Sequence, residues 1–481
     1  MNFAIVRYLI GWMLGIESIF LLLPALTAVI YGEPELPAYL IAAAISLAGA
    51  ALLCHRKPKN TRFYAREGYV TVALCWLILA VIGALPFVLS REIPFFIDAL
   101  FETVSGFTTT GATILGDVEA LSHASMLWRC LTHWVGGMGV LVFMLIVLPL
   151  AGGHTIFLMR AESPGPSVSK MSPHMRDTAT ILYAIYFGLT VLQMILLLIG
   201  GMPFFDAICV SLGTAGTGGF GNWNDSIAHY NSAYLQNVIT VFMILFGINF
   251  SAYFLILTRK FRQAFRIEEI RVYLGVIFVF AGLIAFNVRP MFGSLRESFH
   301  HALFQVASII TTTGFSTVDF DQWPTFSRAL LVLLMFIGAC AGSTGGGIKC
   351  SRILLLGKSV KKELMCLIHP RLVRVNKMDG QRVPHEVMRS INVFVVAYAF
   401  IFILSLLIIS LNCEDLVTCF TSVATTLNNV GPGLSLCGPT CNFGFFPPLS
   451  KCVLIFDMLA GRLELFPMLL LFTPGTWQRN K

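Results

Sequence analysis

Four short polar segments, each reaching a glycine, recur along a chain that is otherwise strongly apolar. They read DALFETVSGFTTTGA from Asp98, DAICVSLGTAGTGGF from Asp206, HALFQVASIITTTGF from His301 and TCFTSVATTLNNVGP from Thr418. The fourteenth residue is glycine in every copy: Gly111, Gly219, Gly314 and Gly431. Two residues earlier stands a hydroxyl or an amide, Thr109, Thr217, Thr312 or Asn429. Such a loop between hydrophobic flanks has to line water or an ion, because bare backbone is not tolerated against lipid. The glycines recur at intervals of 108, 95 and 117 residues, too long for a solenoid and suited to one membrane module per copy.

Composition makes the membrane reading independent of the repeats. The 481 residues are 56% hydrophobic and 12% charged, whereas a soluble globule approaches a quarter charged. Apolar runs long enough to cross a bilayer lie near residues 3–31, 37–54, 69–89, 126–150, 178–200, 233–257, 272–288, 328–351, 391–411 and 452–472. The first run is too long for a signal segment and reads as a membrane helix. Each glycine segment falls between two of the last eight runs, after an amphipathic stretch too short to span. The expected fold is therefore all-α and polytopic, with two extra N-terminal helices and four helix–pore loop–helix repeats. Their expected bounds are 1–66 for the N-terminal pair, then 67–160, 161–262, 263–370 and 371–481.

Charge orients the chain. With both termini cytoplasmic, inner segments carry 26 Lys and Arg against six outside, in accord with the positive-inside bias. Acids are reversed, fourteen outside and eight inside. The net charge of +8 is thus the sum of two opposed faces and gives no sign of nucleic-acid binding. The outer face attracts cations and the inner one meets anionic lipid. An even number of spans separates successive glycine segments, so the repeats are parallel and can surround one axis. Four such loops give a ring of carbonyls, the device that replaces the hydration shell of potassium. The expected filter is Thr109, Thr110 and Gly111; Thr217, Gly218 and Gly219; Thr312, Thr313 and Gly314; and Asn429, Val430 and Gly431. Potassium is expected at Thr110, Gly111, Gly218, Gly219, Thr313, Gly314, Val430 and Gly431, with glycine admitting the positive φ that the geometry needs. No cofactor, and no cluster of carboxylates, nucleophiles or metal-spaced histidines suited to an enzyme, stands out.

These segments, together with WVGGMG (Trp134–Gly139), GSTGGGIK (Gly342–Lys349) and GRLELFP (Gly461–Pro467), are similar to the TrkH-type subunits of the Trk/Ktr/HKT potassium transporter superfamily. The resemblance covers essentially the whole chain, including the two N-terminal spans. It implies potassium uptake across a bacterial inner membrane, a homodimer with one pore per subunit, and a cytosolic nucleotide-binding regulatory ring of the TrkA kind. A sodium or sodium/proton-coupled potassium transporter of the same fold is the alternative. In that superfamily serine at the first filter glycine accompanies sodium preference, and Gly111 stands there. The external CGPTCNF stretch departs from the family pattern; Cys437 and Cys441 are read either as a disulfide or as two thiols.

Two further features leave alternatives open. Gly342, Gly345, Gly346 and Gly347 break an apolar run, either as a flexible helix interruption or as a loop lining the cavity below the filter; a phosphate-binding loop is disfavoured, since a membrane span leads into it. Arg462, inside the last apolar run, is either an ion-pair partner of Asp457 or Glu464, or a pore-facing charge that bonds to the glycine loop. On the second reading the glycine run is a gate and Arg462 holds it shut. Glu17 reads as a helix-packing residue, and His300 and His301 as residues at the head of a pore helix rather than a metal site.

Overall fold

The computed structural model describes residues 1–58, 64–139, 175–371, 375–413 and 415–478. The expected 160/161 repeat boundary, the run 140–150 and several basic residues counted inside, such as Arg160 and Lys170, lie outside the described residues, as does Glu414 among the outer acids. Two helices open the chain, α1 (Phe3–Tyr31) and α2 (Leu36–Cys54). Nothing in the apolar run of α1 stops it until Gly32, which takes φ 67° and donates its N–H to the Ala28 and Val29 carbonyls in a left-handed cap. The pair is closely packed: a Cβ on Gly11 would stand 2.6 Å from the sulfur of Cys54, and the Ser46 hydroxyl donates to the Leu14 carbonyl at 2.8 Å. Small residues at such contacts are what let membrane helices approach.

Four units follow. The first is α3 (Ala65–Ser90), α4 (Phe96–Phe107) and α5 (His123–Gly137). The second is α6 (Met175–Ile199), α7 (Phe204–Gly216), α8 (Ala233–Phe246) and α9 (Phe250–Leu257), with α10 (Phe261–Arg266) leading onward. The third is α11 (Glu268–Val288), α12 (Leu295–Ile310), α13 (Thr325–Ile337) and α14 (Cys350–Ile368). The fourth is α15 (His385–Ile409), α16 (Leu416–Leu427), α17 (Pro448–Arg462) and α18 (Phe466–Leu471). A ribbon of two strands, β1 (Lys377–Met378) and β2 (Gln381–Arg382), interrupts the helical pattern between the last two units.

The second helix of each unit, with 12, 13, 16 and 12 residues, measures only about 18–24 Å at 1.5 Å per residue. That is less than a hydrocarbon core of about 30 Å, so these helices enter the membrane without crossing it. Two of the four starts are capped by side chains: Ser294 accepts from Glu297 N–H, and Asp415 accepts from the N–H groups of Val417 and Thr418.

The third element departs from the ten continuous spans that hydropathy predicts. Among the described residues six helices are long and apolar enough to cross, and α8 with α9 makes a seventh that bends by 93°. In the third unit twelve residues, 338–349, separate α13 from α14, and in the fourth Leu463–Leu465 turn the chain. Hydropathy registers apolar side chains, and helix direction leaves no trace in it. Around the outside, Leu52, Phe286, Val396 and Phe400 are exposed, as an apolar solvent allows. The terminal amine of Met1 donates to the Gln478 carbonyl at 3.2 Å, so both ends meet on one face.

Candidate functional site

The four segments adopt one backbone conformation. Each short helix ends, and the residue two before the glycine turns left-handed: Thr109 at φ 56°, Thr217 at 56°, Thr312 at 57° and Asn429 at 55°. The glycines follow at φ 81°, 81°, 85° and 100°. In a strand successive carbonyls point to opposite faces; a φ that changes sign from residue to residue turns them toward a common side. Left-handed backbone at a residue with a Cβ costs roughly 1–2 kcal/mol, so its recurrence at four equivalent positions marks a geometry that the surroundings enforce.

The contacts between segments close into a cycle. A Cβ on Gly111 would stand 1.9 Å from the Gly218 carbonyl oxygen, and one on Gly219 would stand 2.1 Å from that of Thr313. One on Gly314 would stand 2.5 Å from the Val430 oxygen, and one on Gly431 would stand 2.7 Å from that of Thr110. The order runs first to second, second to third, third to fourth and fourth to first. Each glycine thus clears room for the carbonyl that precedes the next glycine, and four segments surround one axis.

On one side all four glycines line a cavity of about 760 Å³ that opens to solvent, walled also by Ala112, Thr113, Phe220, Asn224 and residues 437–443. Among the described lining residues none is charged. Nearby acids instead brace the walls. Glu102 is buried against Arg129 at 2.8 Å and accepts from the Thr113 hydroxyl and the Ile114 N–H, so it fixes the strand that leaves the first glycine. Asp206 accepts from Asn222, Trp223 and Tyr230 behind the second glycine. Asp98 pairs with Lys451 at 2.6 Å, joining the first and fourth units. At the rim the Asn224 amide holds the Asp117 carboxyl below its usual range. Cys437 and Cys441 are free thiols, and His300 and His301 bond to Gln236 and Thr317.

On the other side the segment 338–349 lies against the second, third and fourth units and is linked to the first through Arg462. Gly346 N–H donates to the Thr312 hydroxyl at 2.6 Å, and a Cβ on Gly346 would stand 2.6 Å from the Asn428 carbonyl. The Thr344 hydroxyl donates to the Phe246 carbonyl, and Phe250 N–H to the Gly342 carbonyl at 3.0 Å. Arg462 completes the set. Its guanidinium donates to the Thr344 carbonyl at 2.8 Å, to the Gly136 and Gly137 carbonyls at 2.6 and 2.8 Å, and to the Thr109 hydroxyl at 3.2 Å. The two acids near it in sequence have other partners: Glu464 pairs with Arg352, and Asp457 accepts from Ser405. One planar fork with several donors thereby joins the first unit, the loop and α17.

A family model of TrkH cation transport proteins matches residues 37–478. This chain belongs to the TrkH family. It is 38% identical over 485 residues to the Trk system potassium uptake protein TrkH of Salmonella typhimurium, covering 99% of this chain and 100% of that one. With the Trk system potassium uptake protein TrkG of Escherichia coli it shares 33% over 479 residues, 98% of each chain. Its fold superimposes on the crystal structure of the potassium transporter TrkH from Vibrio parahaemolyticus with a TM-score of 0.90 and 32% identity, covering 99% and 100% of the two chains. The TrkH family consists of transporters rather than enzymes, and no cofactor is implied.

Of the residues singled out in the sequence, Gly111, Gly219, Gly314 and Gly431 meet the carbonyls of Thr110, Gly218, Thr313 and Val430 in the cycle; Gly345, Gly346 and Arg462 lie against Thr311, Thr312, Asn428 and Thr109, whereas Gly342 lies against Asn249 and Gly347 against Gly338. What the sequence did not disclose is the use of the side chains two before the glycine. Those of Thr109 and Thr312 reach away from the ring to Arg462 and Gly346. Nor did it disclose Glu269, whose carboxylate accepts from Ala341 N–H at 2.7 Å and Ser351 N–H at 2.9 Å and so ties both ends of the loop to α11. A lone glutamate at a helix start carries no signal for such a contact.

Proposed function

We propose that this TrkH-family chain takes up potassium across a bacterial inner membrane, through a filter made of the carbonyls around Gly111, Gly219, Gly314 and Gly431. The observation that carries the reading is the cyclic contact of glycine and carbonyl, which leaves one axial path ringed by backbone oxygen. The names of its relatives as potassium uptake proteins support the choice of ion. The repeats are taken as 67–160, 161–262, 263–370 and 371–481 after an N-terminal pair at 1–66. Both termini are placed in the cytoplasm, in agreement with the charge asymmetry and with their meeting on one face. The chain works as a homodimer whose basic stretch Lys349–Arg389 docks a TrkA-type nucleotide-binding ring and faces anionic lipid. Sodium selectivity on the same fold is the competing reading, and glycine at position 111 weighs against it.

A carbonyl filter conducts whenever it is hydrated, so a second constriction has to close the path. The 338–349 segment is that gate and Arg462 its latch: a positive charge beneath the filter opposes a cation there, and its bonds to Thr344, Gly136 and Gly137 hold the loop across the axis. The purified protein in liposomes, with and without a proton gradient, tests the whole reading and separates passive from coupled flux. Potassium flux that Arg462→Ala or deletion of 342–347 enlarges at near-normal selectivity is the expected result. Loss of flux in correctly inserted protein would move the gate elsewhere.

A further inference from the structure

The four residues that precede the glycines are not alike. Thr110 and Thr313 are held by their own side chains, whose hydroxyls bond to Thr108 at 2.8 Å and Thr311 at 2.7 Å. Val430 is fully buried in the apolar core. Gly218 has no side chain with which to hold its peptide. The space that a side chain would take is filled by the ring of His133 on α5: a Cβ on Gly218 would stand 2.2 Å from the imidazole Cγ. The carbonyl of that same Gly218 faces Gly111, so Gly218 sits between His133 and Gly111.

The imidazole is fixed at both nitrogens and on its face. Nδ1 lies 2.7 Å from the Gly106 carbonyl at the end of the first short helix. Nε2 lies 3.2 Å from the N–H of Phe220, the residue after the second glycine. A carbonyl only accepts and an N–H only donates, so the ring is neutral, with its proton on Nδ1. The Phe220 ring packs on the imidazole at 4.2 Å, and the Arg129 guanidinium, one turn earlier on α5, covers Phe220 at 4.1 Å. The charged groups around the imidazole are Arg129, paired with Glu102, and Arg462, tied to the Gly136 and Gly137 carbonyls.

We infer that His133 is a positioning residue for cation selectivity, standing in for the side chain that Gly218 lacks and holding the second segment's carbonyls against the first unit. This rests on the ring being the filter. Without the imidazole the Gly218 peptide is free to rotate and the Phe220 N–H is left without an acceptor, so the wall between the first two segments loosens.

Potassium and sodium competition is measured in liposomes, with apparent affinity and maximal flux read separately, for His133→Ala, His133→Gln, and His133→Ala combined with Gly218→Val. Losing a buried acceptor is expected to cost His133→Ala roughly five- to tenfold in potassium preference. Glutamine offers one donor and one acceptor at similar reach, so His133→Gln keeps most of it. The double variant refills the space as Val430 does and recovers part of the loss. Gly219→Ser is the control. If it alters the ion preference while His133→Ala does not, or if His133→Gln falls as far as His133→Ala, the inference about His133 is overturned and the filter stands. If Gly219→Ser is also without effect, the filter reading itself has failed.

Discussion

The ring and the layer beneath it are built on opposite rules. In the ring four segments with different sequences repeat one backbone: left-handed at Thr109, Thr217, Thr312 and Asn429, then glycine at φ 81–100°. Beneath it, among the described residues, no unit copies another. The helix α5 ends at Gly137 followed by Gly139 at φ 82°, α8 and α9 bend by 93°, α13 and α14 part by twelve residues, and α17 turns into α18 through Leu465 at φ 65°. A site that treats a spherical ion equally from all sides needs equal walls. A stopper that must yield in one direction needs one movable member and three fixed ones. Among the described residues the third unit supplies the twelve-residue loop that the proposed gate needs, and the breaks in the second and fourth units give it partners.

Several perturbations separate the two layers. The largest effect is expected where the ring is braced from outside: Glu102→Ala leaves Arg129 buried and unpaired, a change that costs about 3–5 kcal/mol. It should lower thermal stability in detergent more than loss of the more exposed Arg328–Asp321 pair does. If both lower it equally, the brace is not a structural element. Next come the glycines. Overpacking costs about 1–3 kcal/mol, and the Cβ clearances of 1.9, 2.1, 2.5 and 2.7 Å set an order of severity from Gly111→Ser through Gly219→Ser and Gly314→Ser to Gly431→Ser in potassium preference over sodium. The reverse order in ion competition would mean that the glycine contacts do not set selectivity.

Gly346→Ala tests the lower layer alone. A Cβ there meets the Asn428 carbonyl at 2.6 Å and pushes the loop off the ring, so flux should rise severalfold while selectivity holds. A shift in selectivity instead would show that the two layers are not separable. The docking surface gives a smaller effect. Lys358 is already engaged by Glu268 and the Lys377 carbonyl, whereas among the described residues Lys362 is held only by its neighbour Glu363 at 3.6 Å, so removal of Lys361 and Lys362 is the cleaner test, and it should weaken pull-down of the regulatory ring at moderate salt. The smallest effect belongs to Asp415, which the Thr418 hydroxyl holds down to about 2. A lowered carboxyl lends stability above the usual value of about 4 and loses it as pH falls through its own. Asp415→Asn should therefore differ from the parent only above about pH 2, and slightly, in acid unfolding followed by fluorescence.

The layer that repeats was legible, while of the layer that varies only the glycine run 342–347 and Arg462 stood out. Gly111, Gly219, Gly314 and Gly431 announce themselves because the same steric demand, made four times, leaves the same letters in register. The bend at Gly247–Asn249 lies in an unbroken apolar run; its signal was Asn249, which caps α9 by accepting from Ser251 N–H at 2.8 Å. Pro467, at the start of α18, was a similar unused sign of a helix beginning. The role of Arg462 was left open because its partners, the carbonyls of Gly136, Gly137 and Thr344, are more than a hundred residues away and are backbone, which every sequence carries everywhere.

The ring closes within a single polypeptide, with the fourth glycine meeting the first segment's carbonyl. In a ring assembled from four identical subunits every inherited change strikes all walls at once, and most such changes are fatal to an ion site. Here one codon alters one wall. The surviving three keep the site standing while the fourth drifts, so a lineage can reach an Asn where its sisters have Thr, or lean a histidine behind a glycine, one quarter at a time.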